Sequence, residues 1–147
     1  MKLVWDLDGT IVDTKAANEW AYESLGVKPP KDFYERHWSE WTDESVHQRK
    51  GWITAHYIRM LGKPGPVMQL WINNGGTILT SASEATVNAV RDTFPVLGSA
   101  DIRWGKTLQD KIDWLNGQEE PGCYFDDSLR TIQRVREDTK WTAILVR

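Results

Sequence analysis

Two acidic clusters carry the spacing of a working site. Asp6 and Asp8 stand two apart in Asp6-Leu7-Asp8-Gly9-Thr10, directly after the apolar run Leu3-Val4-Trp5. In a regular strand that separation puts both carboxylates on one face. Gly9 permits a tight turn there, and the Thr10 hydroxyl can brace it. Asp126-Asp127 follow a second apolar run, Cys123-Tyr124-Phe125. Carboxylates crowded at strand ends are costly unless positive charge meets them. Four such groups (Asp6, Asp8, Asp126 and Asp127) converging on one edge call for a hard cation. Their oxygen-only chemistry suits Mg²⁺, held through a few carboxylates, waters and a phosphate of the substrate. Taken alone, Asp126-Asp127-Ser128 also reads as a turn or helix cap; Asp-x-Asp-Gly-Thr after an N-terminal strand does not reduce to that.

These residues need elements that place them. Thr77-Ile78-Leu79 is a third apolar run and ends in Thr80-Ser81-Ala82-Ser83; Ile102-Arg103-Trp104 and Trp141 to Val146 are further strand candidates. Between them, residues 84–93, 108–116 and 128–137 carry apolar side chains at helical spacing. Strands alternating with helices predict an α/β fold, a Rossmann-like parallel sheet covered on both faces. Ligands of such sheets collect beyond the carboxyl ends of the strands, where the polar clusters lie. Residues 13–70 interrupt the alternation. A helix is expected over 14–25, ended by Gly26 and Pro29-Pro30, and another from Ser45 to Leu61, ended by Gly62. The expected organisation is therefore a catalytic core of residues 1–12 and 71–147 with a small helical cap, 13–70, inserted after the first strand. Segments 13–16 and 62–67 are its expected hinges.

At this point the chain resembles the haloacid dehalogenase-like (HAD) superfamily over essentially its whole length. Asp6-Leu7-Asp8-Gly9-Thr10 resembles the first motif of its phosphatase members, Thr80-Ser81 the second, and Asp126-Asp127 the acidic fourth. The resemblance implies strand order 3-2-1-4-5 and hydrolysis of a small phosphomonoester with Mg²⁺ as cofactor. It makes Asp6 the nucleophile that forms an aspartyl-phosphate and Asp8 the acid that protonates the leaving oxygen and then activates water. Asp6, the main-chain carbonyl of Asp8, and Asp126 would hold the metal, with Asp127 close by. Thr80, together with Ser81, Gly9 and Thr10, would surround the phosphoryl oxygens. Asp8 argues against a dehalogenase, and the small cap makes a mutase less favoured.

The third motif is a lysine, and two compete. Lys106 follows a strand candidate, and Gly105-Lys106 resembles the Gly-Lys-Pro start of many members, with threonine in place of proline. Thr107 to Asp110 reads as a capping box opening the next helix. Lys111, in Lys111-Ile112-Asp113-Trp114-Leu115, resembles the Lys-x-x-Trp-aliphatic stretch of 5'-nucleotidase-like members. The two weigh about evenly, with a lean to Lys111. That stretch and the aromatic cap make a nucleoside monophosphate the first substrate expectation. A polynucleotide end phosphatase and a non-catalytic regulatory protein of the same fold are the alternatives.

Bulk properties bound the rest. The chain has 147 residues, 40% hydrophobic and 27% charged, with a net charge of -3. This balance suits one compact domain and gives no basic stripe for long nucleic acid. Cys123 is the one cysteine, so no internal disulfide is possible; it is expected as a small buried residue. The N-terminus turns acidic too early for a signal peptide, and no apolar run is long enough to span a membrane, so a cytoplasmic, reducing setting is expected. Oligomeric state is not encoded in any visible pattern. His37, His47 and His56 are expected to be core or solvated, away from the catalytic strand ends. Of nine tryptophans, Trp20, Trp38, Trp41, Trp52 and Trp71 fall in or beside the cap. Most of these are expected in its core, with Trp38 or Trp41 as the candidate wall for a base or sugar. Arg36 or Lys50 is the candidate anchor for a second charged group.

Overall fold

A computed structural model describes residues 2–147; Met1 lies outside the described residues. Five strands form one parallel sheet: β1 (Leu3–Trp5), β4 (Thr77–Thr80), β5 (Ile102–Trp104), β6 (Cys123–Asp126) and β7 (Thr142–Leu145), in the order β5-β4-β1-β6-β7. Numbered within this sheet alone, that is the 3-2-1-4-5 order expected from the sequence. β1 is central because it is apolar on both sides: Val4 and Trp5 are each fully buried.

Alternation along the strands sorts two cores. Trp5 and Ile78 face one side, together with Val87 and Val90 from α4 (Glu84–Thr93). Val4, Leu79 and Tyr124 face the other. There they meet Ile112 and Leu115 of α5 (Leu108–Asn116) and Ile132 and Val135 of α6 (Leu129–Asp138). Each fully buried aliphatic chain of this kind contributes roughly 1.5–3 kcal/mol. The period of two has a direct consequence for the site. Asp6 continues the face of Val4, and Asp126 that of Tyr124, so both carboxylates turn toward the side covered by α5.

The inserted segment leaves and rejoins the core at one neck. Val12 of β2 (Val12–Asp13) pairs antiparallel with Pro64 of β3 (Lys63–Pro64), and Gly65 N–H donates to Ile11 O at 2.7 Å. Between these points run α1 (Lys15–Ser24), two 3₁₀ turns (Phe33–Glu35 and Trp38–Glu40) and α2 (Glu44–Leu61). α2 does not stand clear of the core but packs along α4. The contact depends on Gly51, because a Cβ there would lie 2.0 Å from Ser83 Oγ, the hydroxyl that caps α4 by accepting from Thr86 N–H. Ala55 and Ile58 of α2 join the core beneath β1 and β4. A short helix not expected from the sequence, α3 (Met68–Asn74), adds Met68 and Trp71 to the same core.

The aromatic residues of the cap depart from expectation. Of the five tryptophans expected mainly as core, Trp71 alone is buried; Trp52 is 64% exposed and Trp20 38%, while Trp38 and Trp41 are half-buried. The insertion has one thin layer of helix, so its outer ring positions have nothing to pack beneath. Cys123, expected as buried, is half-buried.

Candidate active site

The site begins where β1 ends. Asp6 N–H donates to Phe125 O at 2.8 Å, the last rung joining β1 to β6. Beyond it the chain coils tightly: the N–H groups of Thr10, Ile11 and Val12 all point to Leu7 O, and Gly9 N–H donates to Val12 O at 2.7 Å. Gly9 has φ +76°, and a Cβ there would stand 2.0 Å from Asp127 Oδ2. Only glycine lets the turn approach that carboxylate. Thr10 Oγ1 reaches Asp127 Oδ1 at 3.5 Å, so the bracing hydroxyl ties the first acidic motif to the last.

Lys111 answers the acidic cluster. Its Nζ donates to Asp6 Oδ1 at 2.8 Å and to Tyr124 OH at 3.2 Å, and lies 3.6 Å from Asp126 Oδ2. Both ion pairs are shut away from water, with less than a tenth of each side chain exposed. Tyr124 OH in turn donates to Asp126 Oδ2 at 2.5 Å, while Ser128 N–H donates to Asp126 Oδ1 at 2.9 Å. α5 presents Lys111 because Thr107 and Asp110 form a reciprocal capping box that starts the helix at Leu108. Lys106, the other candidate, points outward and pairs with Glu44 on the surface.

Burial pushes the Asp6 carboxyl up to about 8, reinforced by Asp126 and opposed by Lys111. The Asp127 carboxyl is raised well above its usual range by burial and then by Asp126 and Asp6. For Lys111 burial works against the charge, but the Asp6 and Asp126 carboxylates outweigh it and hold the ammonium form. The cluster therefore gathers more carboxyl groups than one lysine can keep ionised, and without a further cation Asp6 and Asp127 hold their protons more tightly than usual. Carboxylate oxygens of Asp6, Asp126 and Asp127 lie within 4.8 Å of one another, and Asp8 Oδ1 is buried without a hydrogen-bond partner. An oxygen-only cradle short of positive charge, with a spare buried acceptor, fits a hard divalent cation such as Mg²⁺.

The hydroxyl motif after β4 is arranged differently from a bare phosphate cradle. Thr80 is fully buried, and its Oγ1 accepts from Ala82 N–H at 3.0 Å, bracing the turn from behind. Ser81 lines the cavity; its hydroxyl donates to Gly105 O and meets His37 Nε2 at 2.7 Å. His47 Nε2 reaches Ser81 O at 3.0 Å, and the Trp38 ring stacks on His47 at 4.1 Å. The expectation that no histidine falls near a catalytic strand end is thus corrected: two do, brought across from the cap, while His56 is exposed. Burial, with lysine charge adding to it, lowers both rings to about 3, so they are neutral hydrogen-bonding groups. Tyr124, His37 and His47 were not singled out from the sequence as site residues. Tyr124 had a local signal, two positions before Asp126 on one strand face; the histidines had none.

The cap lies beside the acidic cluster, and the two together line a cavity of ≈ 120 Å³. Asp6, Asp8, Asp126, Asp127 and Lys111 line it from the core, and Asn18, Tyr22, Lys50, Trp38 and Trp41 from the cap. The 3₁₀ segment is also pinned on its far side, where Ser128 Oγ donates to Glu35 O at 2.9 Å.

Comparison with known proteins agrees with this geometry at the level of fold. No family model matches the sequence, and no curated protein does. Solved structures do. YfnB from Bacillus subtilis, bound to magnesium, is similar with a TM-score of 0.64 at 14% identity over 99% of this chain and 87% of that one. CbbY from Rhodobacter sphaeroides, in complex with phosphate, gives 0.65 at 13% over 99% and 86%. The haloacid dehalogenase-like family protein SP0104 from Streptococcus pneumoniae gives 0.53 at 12% over 99% and 84%. The chain has a HAD-like fold, a parallel core with a helical cap.

Proposed function

We propose that the protein hydrolyses small phosphomonoesters through an aspartyl-phosphate on Asp6. The observation that carries this reading is the Asp6–Lys111 pair. It sets a carboxylate at the end of the central strand, buried, facing a cavity, and flanked by Asp126 and Asp127. A structural ion pair has no reason to gather two more carboxylates around it.

In this reading Asp6 attacks phosphorus, and the ester bond breaks as the leaving oxygen takes a proton from Asp8. Asp8, now a carboxylate, accepts a proton from a water molecule as that water attacks the aspartyl-phosphate. Inorganic phosphate leaves and Asp6 is restored. Splitting one displacement into two easier ones is the gain of covalent catalysis. Lys111 offsets charge on the transferring phosphoryl group and orients Asp6, while Tyr124 holds Asp126 in place. Mg²⁺ held by Asp6, Asp126, Asp127 and the Asp8 carbonyl would supply further electrostatic stabilisation of the phosphoryl oxygens. Ser81 and Gly9 border the same space, while Thr10, fully buried behind it, braces Asp127.

The cavity supports a compact substrate. Pockets for drug-sized ligands run to about 300–1,000 Å³, and a nucleoside monophosphate would have to push the cap aside. The candidate stacking walls are also engaged: Trp38 carries His47 on its ring, and Trp41 packs on Tyr22 at 5.0 Å. The small cavity likewise disfavours a polynucleotide end. The test is Mg²⁺-dependent release of phosphate from a panel of phosphomonoesters. Asp6→Asn is expected to lower turnover at least 10³-fold while the variant still unfolds cooperatively. Turnover surviving in Asp6→Asn, or none by the wild type on any ester, would count against the proposal.

A further inference from the structure

Lys50 is the unexplained charge of this molecule. It lies on α2, 6% exposed, lining the cavity, and it makes no ion pair among the described residues. Its partners are Asn18 Oδ1 at 3.2 Å and the Tyr22 ring at 5.7 Å. An ammonium offers three donors, so two remain for something else. Burying a cation without a counter-ion is costly, and here burial lowers the affinity of Lys50 for its proton, with only the charge of Asp8 opposing that. The other cap cations around the cavity are already engaged and exposed: Arg36 with Asp32 at 3.1 Å and Lys15 over the Tyr34 ring at 4.4 Å.

Asn18 is arranged to share the task. Its Oδ1 accepts from both Lys50 and Thr54, each at 3.2 Å. Because Lys50 can only donate, this fixes the amide orientation and leaves the Nδ2 donors, on the lining of the cavity, without a partner among the described residues. Lys50 and Asn18 together make a small positive corner of the cavity that Asp6 and Lys111 also line.

We propose that this corner binds a carboxylate on the substrate, so that the preferred esters are small phosphorylated hydroxy acids. This rests on the phosphomonoester reading of Asp6. The phosphoryl group faces the acidic cluster, and the acid end faces Lys50 and Asn18. One ammonium and one amide match a singly charged carboxylate, whereas a second phosphate would bring a further charge that no buried cation meets. The cavity of ≈ 120 Å³ confines the spacer to a few carbon atoms.

The test compares a phosphorylated two-carbon hydroxy acid with its neutral amide in Mg²⁺-dependent turnover, beside p-nitrophenyl phosphate and a nucleoside monophosphate. The wild type is expected to favour the acid over the amide at least tenfold in kcat/KM, with the difference in KM. Lys50→Met and Asn18→Ala each bring that ratio down about tenfold or more, and Lys50→Arg retains part of it. A purely structural lysine would make Lys50→Met less stable; relief of an unpaired buried charge instead leaves its melting temperature equal or higher. Equal turnover of acid and amide by the wild type, preference for the nucleotide, or a ratio that survives Lys50→Met would overturn the proposal. Calorimetric binding of the acid and amide to Asp6→Asn separates the two readings. A Lys50-dependent preference for the acid supports the subsite even where hydrolysis fails, and equal binding sinks it.

Discussion

Replacing Lys111 by methionine removes the one ammonium inside the acidic cluster and keeps most of its volume. At an effective dielectric constant of about 20, a pair at 2.8 Å is worth roughly 6 kcal/mol and one at 3.6 Å roughly 5 kcal/mol before desolvation is subtracted. Breaking buried pairs by deleting one partner costs about 3–5 kcal/mol net. Asp6 can relieve part of the strain by taking a proton, since its carboxyl is already pushed up to about 8, so the lower end applies. For a chain of this size, about 3 kcal/mol lowers Tm by roughly 6–12 °C. Scanning calorimetry with and without Mg²⁺ measures it. Added Mg²⁺ should raise Tm more in Lys111→Met than in the wild type, because both cations answer the same carboxylates. Turnover should fall about 10²-fold or more. The control is Lys106→Met: its pair with Glu44 is about half exposed on both sides, and such pairs are worth about 0–1 kcal/mol. Equal losses in the two variants, or a Lys111→Met protein that melts with the wild type, would refute the charge-balance reasoning.

Gly9→Ala places a Cβ against the Asp127 carboxylate in a left-handed turn, whereas a Cβ added at Gly26, at φ +68°, would meet nothing within 4 Å. Both variants should lose about 1–2 kcal/mol to backbone strain, but only Gly9→Ala should also lose Mg²⁺ affinity and at least tenfold in kcat, read by calorimetry and phosphate release. Buried His37 and His47 hold their protons less tightly when folded, near 3, than the usual 6.5. The unfolded chain therefore binds more protons between these values, and their stabilising contribution, complete above about pH 6.5, is lost as pH falls toward 3. Denaturant titrations from pH 7 to pH 4 should show a shallower loss of stability in His37→Gln/His47→Gln than in the wild type; parallel curves would contradict the buried, neutral assignment.

Much of the framework was legible because it is local. Apolar runs ending in polar clusters mark the strand ends, Thr107 and Asp110 write their own helix start, and Gly62 follows the last residue of α2. The order of the strands and the acidic motif followed from the resemblance those runs support. What sequence could not place are contacts between residues far apart along the chain. Lys106 and Lys111 carry similar local signals, and Lys111 reaches Asp6, 105 positions away, because α5 packs on the face of β1 that carries it. His37 and His47 reach Ser81 only because Gly51 lets α2 settle on α4. The tryptophans of the cap look like core by composition, yet a single helical layer has no interior for most of them. Lys50 was one cation among several until the fold buried it without a counter-ion beside Asn18. Local chemistry and periodicity thus set where the carboxylates emerge. Tertiary packing alone decided which charges face them, because burial and long-range distance are properties of the folded chain.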